Sequence, residues 1–246
     1  MHTRLAPFGW ARSVFGSSAS PYSLRHSECR AGVEYVDMDA AELLALVRAE
    51  LAPVERRLAE HRYLVDLESG RVPLESLRTF AGEQRAIIAS DRKSFEHLEH
   101  RFPDPPASEF FRDLTAGEAE ALRLLERFVA AVGLGRGYEP LAGCQAYSAY
   151  VAWLALNGSP GDVALAFLAN LETWGRSCRR MRDALSPAYG HDALAFFDFF
   201  AEPPSDLEQR ALALIATSEP SSARRAARLL QAYELLYWDT LANALH

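Results

Sequence analysis

Four things are scarce in this chain, and each absence excludes something. No apolar run reaches the roughly 18 residues of a membrane-spanning helix, because charges interrupt every hydrophobic stretch. Cysteine is rare. Cys29, Cys144 and Cys178 are an odd number without framework spacing, so no disulfide scaffold follows and a reducing cytoplasm fits. Positive charge is in deficit: 26 Lys and Arg stand against 33 Asp and Glu, a net charge of −7. That balance argues against a nucleic-acid partner, which calls for clustered basic surface. Arginines do gather at Arg179, Arg180 and Arg182 and at Arg224, Arg225 and Arg228, but their helical spacing reads as solvated faces. Finally, no stretch sustains the period-2 alternation of a half-buried strand.

What is present is apolar content, 49% over 246 residues, ample for a sizeable core. Residues 1–37 stand apart from it. The stretch GSSASPYS and the scattered Arg4, Arg12, Arg25 and Arg30 show no period, and no apolar core of a secretory signal is present. Residues 1–38 are therefore expected to be a disordered extension, or to lie upstream of a natural start at Met38. Residues 39–246 are expected to form the domain.

From Asp39 onward the chain reads as helix after helix, about eight with short connections. The first is expected over 40–68, broken or kinked at Pro53. Gly70 ends it and Pro73 starts the second, which puts Leu77, Phe80, Gln84, Ile87, Ile88, Asp91, Phe95 and Leu98 on one face. A third begins near Ser108 and restarts at Thr115, where Thr115-x-x-Glu118 reads as a capping box. It ends in GLGRG, which lacks the Lys-Ser/Thr and the preceding strand of a phosphate loop. A fourth covers 141–156. Ser159 caps a fifth, with Pro160 at its first position, running to Leu185. A short aromatic helix covers 191–201, Ser205-x-x-Glu208 opens another, and the last starts near Ser222. The fold class is all-α, a single-domain multi-helix bundle.

Polar residues on apolar faces are the candidates for function. Gln84 and Asp91 interrupt the face of the second helix, with Glu83 at its flank. Cys144 and Tyr147 share the inward face of the fourth, and Asn170 edges the stripe Val163, Phe167, Leu171, Trp174, Cys178 and Met181 of the fifth. In the last helix, LQAYELLYWDTL puts Glu234 in one sector with Leu230, Tyr237 and Leu241. A carboxylate there must be hydrogen-bonded, protonated or facing a cavity. Two readings compete: a tuned acid/base beside Tyr233, Tyr237 and Trp238, or a partly exposed acid on a terminal helix. Each of the others has a plain reading too, Tyr147 as a core tyrosine, the cysteines as small buried hydrophobes, Asp91 as a surface ion pair with Arg92 or Lys93. Metal ligands are sought in Glu96-x-x-Glu99 and His97-x-x-His100, but the run EHLEH reads as a solvated helix end. His191 has no sequence-near partner. No metal and no cofactor are expected.

Three blocks resemble the TenA (thiaminase II) and PqqC superfamily. They are HRYLVDLESGRVPLESLRTFAGEQ, AYSAYVAWLALNGSPGDVALAFLANLETW and YELLYWDTL, in matching order over about residues 40–245. The resemblance implies a haem-oxygenase-like helical fold and a homodimer or homotetramer. It puts the family's C-terminal catalytic glutamate at Glu234, followed by Tyr237 in the Tyr-Glu-x-x-Tyr/Phe-Trp pattern, and a pocket tyrosine at Tyr147. The family's pyrimidine-binding aspartate falls at Gln84, or at Glu83 if the register differs by one. Its nucleophilic cysteine falls at or near Asn170, so covalent thiol catalysis is in doubt unless Cys144 projects into the pocket as nucleophile. The iron-dependent relatives need a His/Glu/Asp set, and FFDFFAEPPSDLEQ contains no histidine. The expected function is a TenA-like C–N hydrolase on a small aminopyrimidine or related heteroaromatic amine, with Glu234 as acid/base and Tyr147, Gln84, Glu83, Asn170 and Tyr237 binding substrate. The alternative is a non-catalytic small-ligand-binding protein with a regulatory or accessory role.

Overall fold

The computed structural model describes residues 38–202 and 204–245, and the expectation of a disordered extension lies outside them except for Met38. Nine α-helices cover most of the described residues, which contain no strand: α1 (Ala40–Ala59), α2 (Arg62–Glu68), α3 (Leu74–Arg101), α4 (Ala107–Val132), α5 (Ala142–Asn157), α6 (Pro160–Leu185), α7 (His191–Ala201), α8 (Leu207–Ile215) and α9 (Pro220–Asn243).

The ninth helix arises because the chain breaks at Glu60–His61 and not at Pro53, which sits inside α1. The break has a local cause. His61 is extended and caps α2, its Nδ1 accepting from Tyr63 N at 3.3 Å, while its Nε2 lies 3.1 Å from Asp239 on α9. Two helix starts follow capping-box logic: Asp39 with Glu42 opens α1, and Ser159 with Asp162 opens α6. Two expected boxes do not form. Helix α4 runs through Thr115, whose hydroxyl donates back to Phe111 O at 2.9 Å, and α8 starts after Asp206, with Glu208 accepting from Arg48 at 2.8 Å instead.

Of the arginines expected on solvated faces, Arg179, Arg225 and Arg228 are exposed, but several guanidinium groups also tie helices together. Arg180 reaches Glu68 and the Ala59 carbonyl at the end of α1, Arg179 the Ala201 carbonyl at the end of α7, and Arg182 pairs with Asp198. Arg101 donates to Ala155 O at 2.9 Å and Gly158 O at 2.8 Å, and Arg78 to Val132 O at 2.8 Å. All of these but Arg182 satisfy carbonyls that a helix C-terminus leaves without partners. His191 also has a neighbour, Asp198, at 3.6 Å.

Helix α3 lies along α4, and α9 packs against α1, α5 and α6, with α7 and α8 laid against α6. Burial divides into two apolar clusters. One is built around Trp238, with Tyr63, Phe80 and Trp174 at 5.6, 6.4 and 5.9 Å between ring centroids. The other gathers Leu43, Phe95, Phe111, Val163 and Leu230. Each buried large side chain contributes roughly 1.5–3 kcal/mol. Tyr147 packs against both clusters, and a cavity is lined by residues of both. Close approach of α5 to α9 depends on Gly143, where a Cβ would collide with Thr240.

Candidate active site

A cavity of about 570 Å³ is lined by residues from α3 to α9. Its walls are mainly apolar. Its polar end is built around Glu234, which is 2% exposed. Asn170 of α6 donates its amide hydrogen to Oε2, and Trp238 Nε1, one turn along α9, donates to Oε1 at 3.3 Å. Burial raises the Glu234 carboxyl to about 8, against the lowering pull of the Trp238 and Asn170 hydrogen bonds. The partly exposed reading of Glu234 is therefore set aside.

The other expected residues divide into two groups. Asn170 Oδ1 accepts from the Tyr147 hydroxyl at 3.3 Å, and Gln84 Nε2 donates to the Tyr237 hydroxyl at 2.8 Å. All four line the cavity with Glu234. Glu83 and Cys144 do not. Glu83 faces the chain entering α5, accepting from the Tyr138 hydroxyl at 2.5 Å and from Leu141 N at 2.7 Å. One helical position turns a side chain by about 100°, and of the adjacent pair it is Gln84 that points inward. The Cys144 thiol is fully buried against Tyr237 O at 3.8 Å, and burial, then the Glu83 charge, pushes it up. A thiol so placed is a small hydrophobe and no nucleophile for this cavity.

Of the five further carboxyls that line the same cavity, Asp91 and Glu118 are the two that burial raises. Asp91 is 3% exposed, so it is not the surface ion pair of its plain reading. Burial, then the nearby Glu118, raises it well above the usual carboxylate range. Glu118 of α4 is partly exposed, and burial raises it to about 8. Both act electrostatically on Tyr147, whose hydroxyl is pushed up first by burial, then by Asp91, Glu234 and Glu118. Sequence reasoning assigned Glu118 to a capping box and so missed it. The signal was there: Phe111, Leu114, Glu118, Ala121 and Leu125 fall on one row at steps of three and four, the pattern that exposed Glu234.

Chemically, the arrangement offers proton donors and acceptors in an apolar chamber, with hydrogen-bonding groups to orient a ligand. Among the described residues no group of three or more His, Cys, Asp or Glu side chains is arranged to hold a metal ion, and no helix is long and apolar enough to cross a membrane.

Comparison with known proteins places this geometry. No curated protein matches. The chain is similar to a TenA homologue from P. horikoshii, with a TM-score of 0.67 and 16% identity over 81% of this chain and 97% of that one. A TenA homologue from Pseudomonas syringae superposes with a TM-score of 0.70 at 12% identity, covering 84% and 96%. A domain of unknown function with a haem-oxygenase-like fold from Shewanella denitrificans gives 0.67 at 13% identity, covering 84% and 93%. These likenesses establish the haem-oxygenase-like fold. The family model for TENA/THI-4/PQQC matches residues 48–244, and the chain belongs to that family.

Proposed function

We propose that the protein is a TenA-like C–N hydrolase acting on a small aminopyrimidine or related heteroaromatic amine, by carboxyl chemistry and without a thiol. One observation carries this reading: Glu234 is a buried carboxyl raised to about 8, held by Asn170 and Trp238 at a ligand-sized cavity. A general acid works best when its pKa lies near the operating pH. Hydrolysis needs one proton moved each way. Water oxygen bonds to the carbon as the C–N bond breaks, its electron pair leaving with nitrogen. An ionised carboxyl takes the water proton and a protonated one supplies the leaving amine. Glu234 takes one role, and Asp91 or Glu118 in the same chamber the other. Gln84, Tyr237 and Tyr147, held in place by hydrogen bonds to one another and to Asn170, orient the ring. A substrate of this class belongs to thiamine metabolism in the cytoplasm.

The second reading, a non-catalytic small-ligand-binding or accessory protein, draws on the position of Cys144 outside the cavity. Turnover of an aminopyrimidine, read as released amine, separates the two. The hydrolase reading expects Glu234→Gln to bind the substrate and lose about 10²-fold or more in rate. Binding without turnover by the wild type favours the accessory reading.

Self-association as a dimer or tetramer belongs to the same proposal. Trp153 and Leu156 of α5 and Leu229 and Leu236 of α9 are exposed on helices that pack together. Exposed apolar residues on two adjoining helices suit an interface between copies. A monomer in sedimentation at micromolar concentration would overturn it.

A further inference from the structure

The cavity is larger than its polar end requires, and its charge is one-sided. Six acids line it, Asp91, Asp113, Glu118, Asp198, Glu202 and Glu234, against one base, Arg210. Arg210 is taken up by Asp113 at 2.5 Å, and Asp198 by Arg182 at 3.1 Å. Asp91 differs from these in having no ion-pair partner among the described residues. It sits seven residues beyond Gln84 on α3, about 10 Å along the helix axis, and its Oδ1 is buried with no hydrogen-bond partner. A buried carboxyl oxygen left unmatched costs free energy that a ligand donor would recover. Glu118 acts electrostatically on Asp91 from α4, across the cavity wall.

Beyond this pair the wall is apolar and aromatic. Phe95 lies one turn past Asp91, with Phe167 edge-on at 4.9 Å, and Leu114 lies one turn before Glu118 with Phe110 a turn further. All four line the cavity.

We propose that Asp91 and Glu118 form a second subsite, which takes an ammonium group carried on an apolar or aromatic body lying along Phe95, Phe110 and Phe167. The ligand is then a hydrophobic amine longer than a single ring. Two carboxyls and aromatic faces are what an organic ammonium selects, and 570 Å³ holds a ligand of drug-like size. This inference rests on the cavity being a small-molecule site, and not on any catalytic role for Glu234.

The pH dependence follows. The groups facing the pair are Tyr147 on α5 and Glu234 on α9, with Asp113 and Arg210, Asp198 and Glu202 also lining the cavity. Burial favours the neutral acids when the cavity is empty. A cation favours the ionised forms, so its affinity rises with pH through about 8, the value to which burial lifts Glu118.

The probe is phenylbutylammonium, titrated calorimetrically into the full chain at about pH 6 and about pH 8, with phenylbutanol as the neutral control. The expected result is amine binding at least about tenfold tighter than the alcohol, tighter at the higher pH, and weakened about tenfold or more by Asp91→Asn combined with Glu118→Gln. Glu118→Gln alone is the fallback should the double variant fail to fold, with a weakening of at least a few-fold expected. The proposal is overturned by an amine that does not bind at millimolar concentration, by equal affinity for the alcohol, or by unchanged affinity in a folded variant. Turnover of an aminopyrimidine by wild type and Glu234→Gln is measured apart from these titrations, so the hydrolase reading can fail while the subsite stands.

Discussion

The Asn170 side chain joins two residues that have no direct hydrogen bond to each other: its oxygen accepts from the Tyr147 hydroxyl while its nitrogen donates to Glu234. Asn170 also lies 3.4 Å from Gln231 Oε1, and Gln231 Nε2 has no partner of its own. At or near the position that the resemblance gives to a nucleophile stands an asparagine that hydrogen-bonds the Glu234 carboxyl.

Asn170→Ala should therefore raise the Glu234 carboxyl above its value of about 8, because a hydrogen bond that favours the ionised form is lost. Carboxyl-region infrared titration of wild type and variant reads this directly. Stability should fall by about 1–3 kcal/mol, since Tyr147 and Gln231 lose a partner. An unmoved titration would detach Asn170 from the acid.

A second expectation concerns pH and stability. Glu234 is raised in the folded state from 4.5 to about 8. Between those values the folded protein holds a proton that the unfolded chain has released, so this group's contribution falls as pH rises from about 4.5 to 8 and is constant above. The difference is on the order of a few kcal/mol. Glu234→Gln lacks it, so the variant should gain on wild type in melting temperature between about pH 5 and pH 8.5. Parallel melting curves across that range would contradict the assignment.

Glu83 should prove structural. Glu83→Ala removes the acceptor for the Tyr138 hydroxyl and Leu141 N and should cost about 2–4 kcal/mol in chemical denaturation. Ligand affinity of the folded fraction should stay within about threefold. Gly82→Ala attacks the same contact from the helix side, where a Cβ would overlap the Tyr138 ring. A variant of Glu83 that keeps its stability but loses ligand binding would return this residue to the site.

Both described cysteines should resist modification. Burial pushes the Cys144 and Cys178 thiols up, and both are enclosed. Peptide mapping after a brief exposure of native protein to a thiol reagent should find them unlabelled, and labelled after denaturation. Rapid native labelling of Cys144 would restore it as a nucleophile.

These residues also mark what could be read from sequence. Helix starts governed by short-range chemistry were legible: Ser159 with Pro160 opens α6 where expected, and α7 spans His191–Ala201 as read. Glu234, Gln84, Tyr147, Asn170 and Tyr237 were legible as polar breaks in apolar stripes or through the resemblance, and the cavity gathers all five. Failure came where one local pattern had two uses. Thr115-x-x-Glu118 fits a capping box, yet the apolar row from Phe111 to Leu125 carries α4 straight through it and turns Glu118 to the cavity. Pro53 suggests a break or a kink; α1 does not break there, and its buried face of Leu43, Leu44, Val47, Leu51 and Leu58 runs past the proline. Glu83 and Gln84 differ by one position, and only the orientation of α3 among its neighbours decides between them.

The bridge through Asn170 has one more consequence. An amide polarises along a hydrogen-bond chain but does not readily hand a proton on, because it would have to leave its neutral tautomer. Tyr147 and Glu234 thus sense each other's charge while their protons stay separate. Asn170 is an insulator in the wire: in the hydrolase reading proposed above, Glu234 would be reloaded from the ligand, from water or from another carboxyl of the chamber, and not from Tyr147 through the amide.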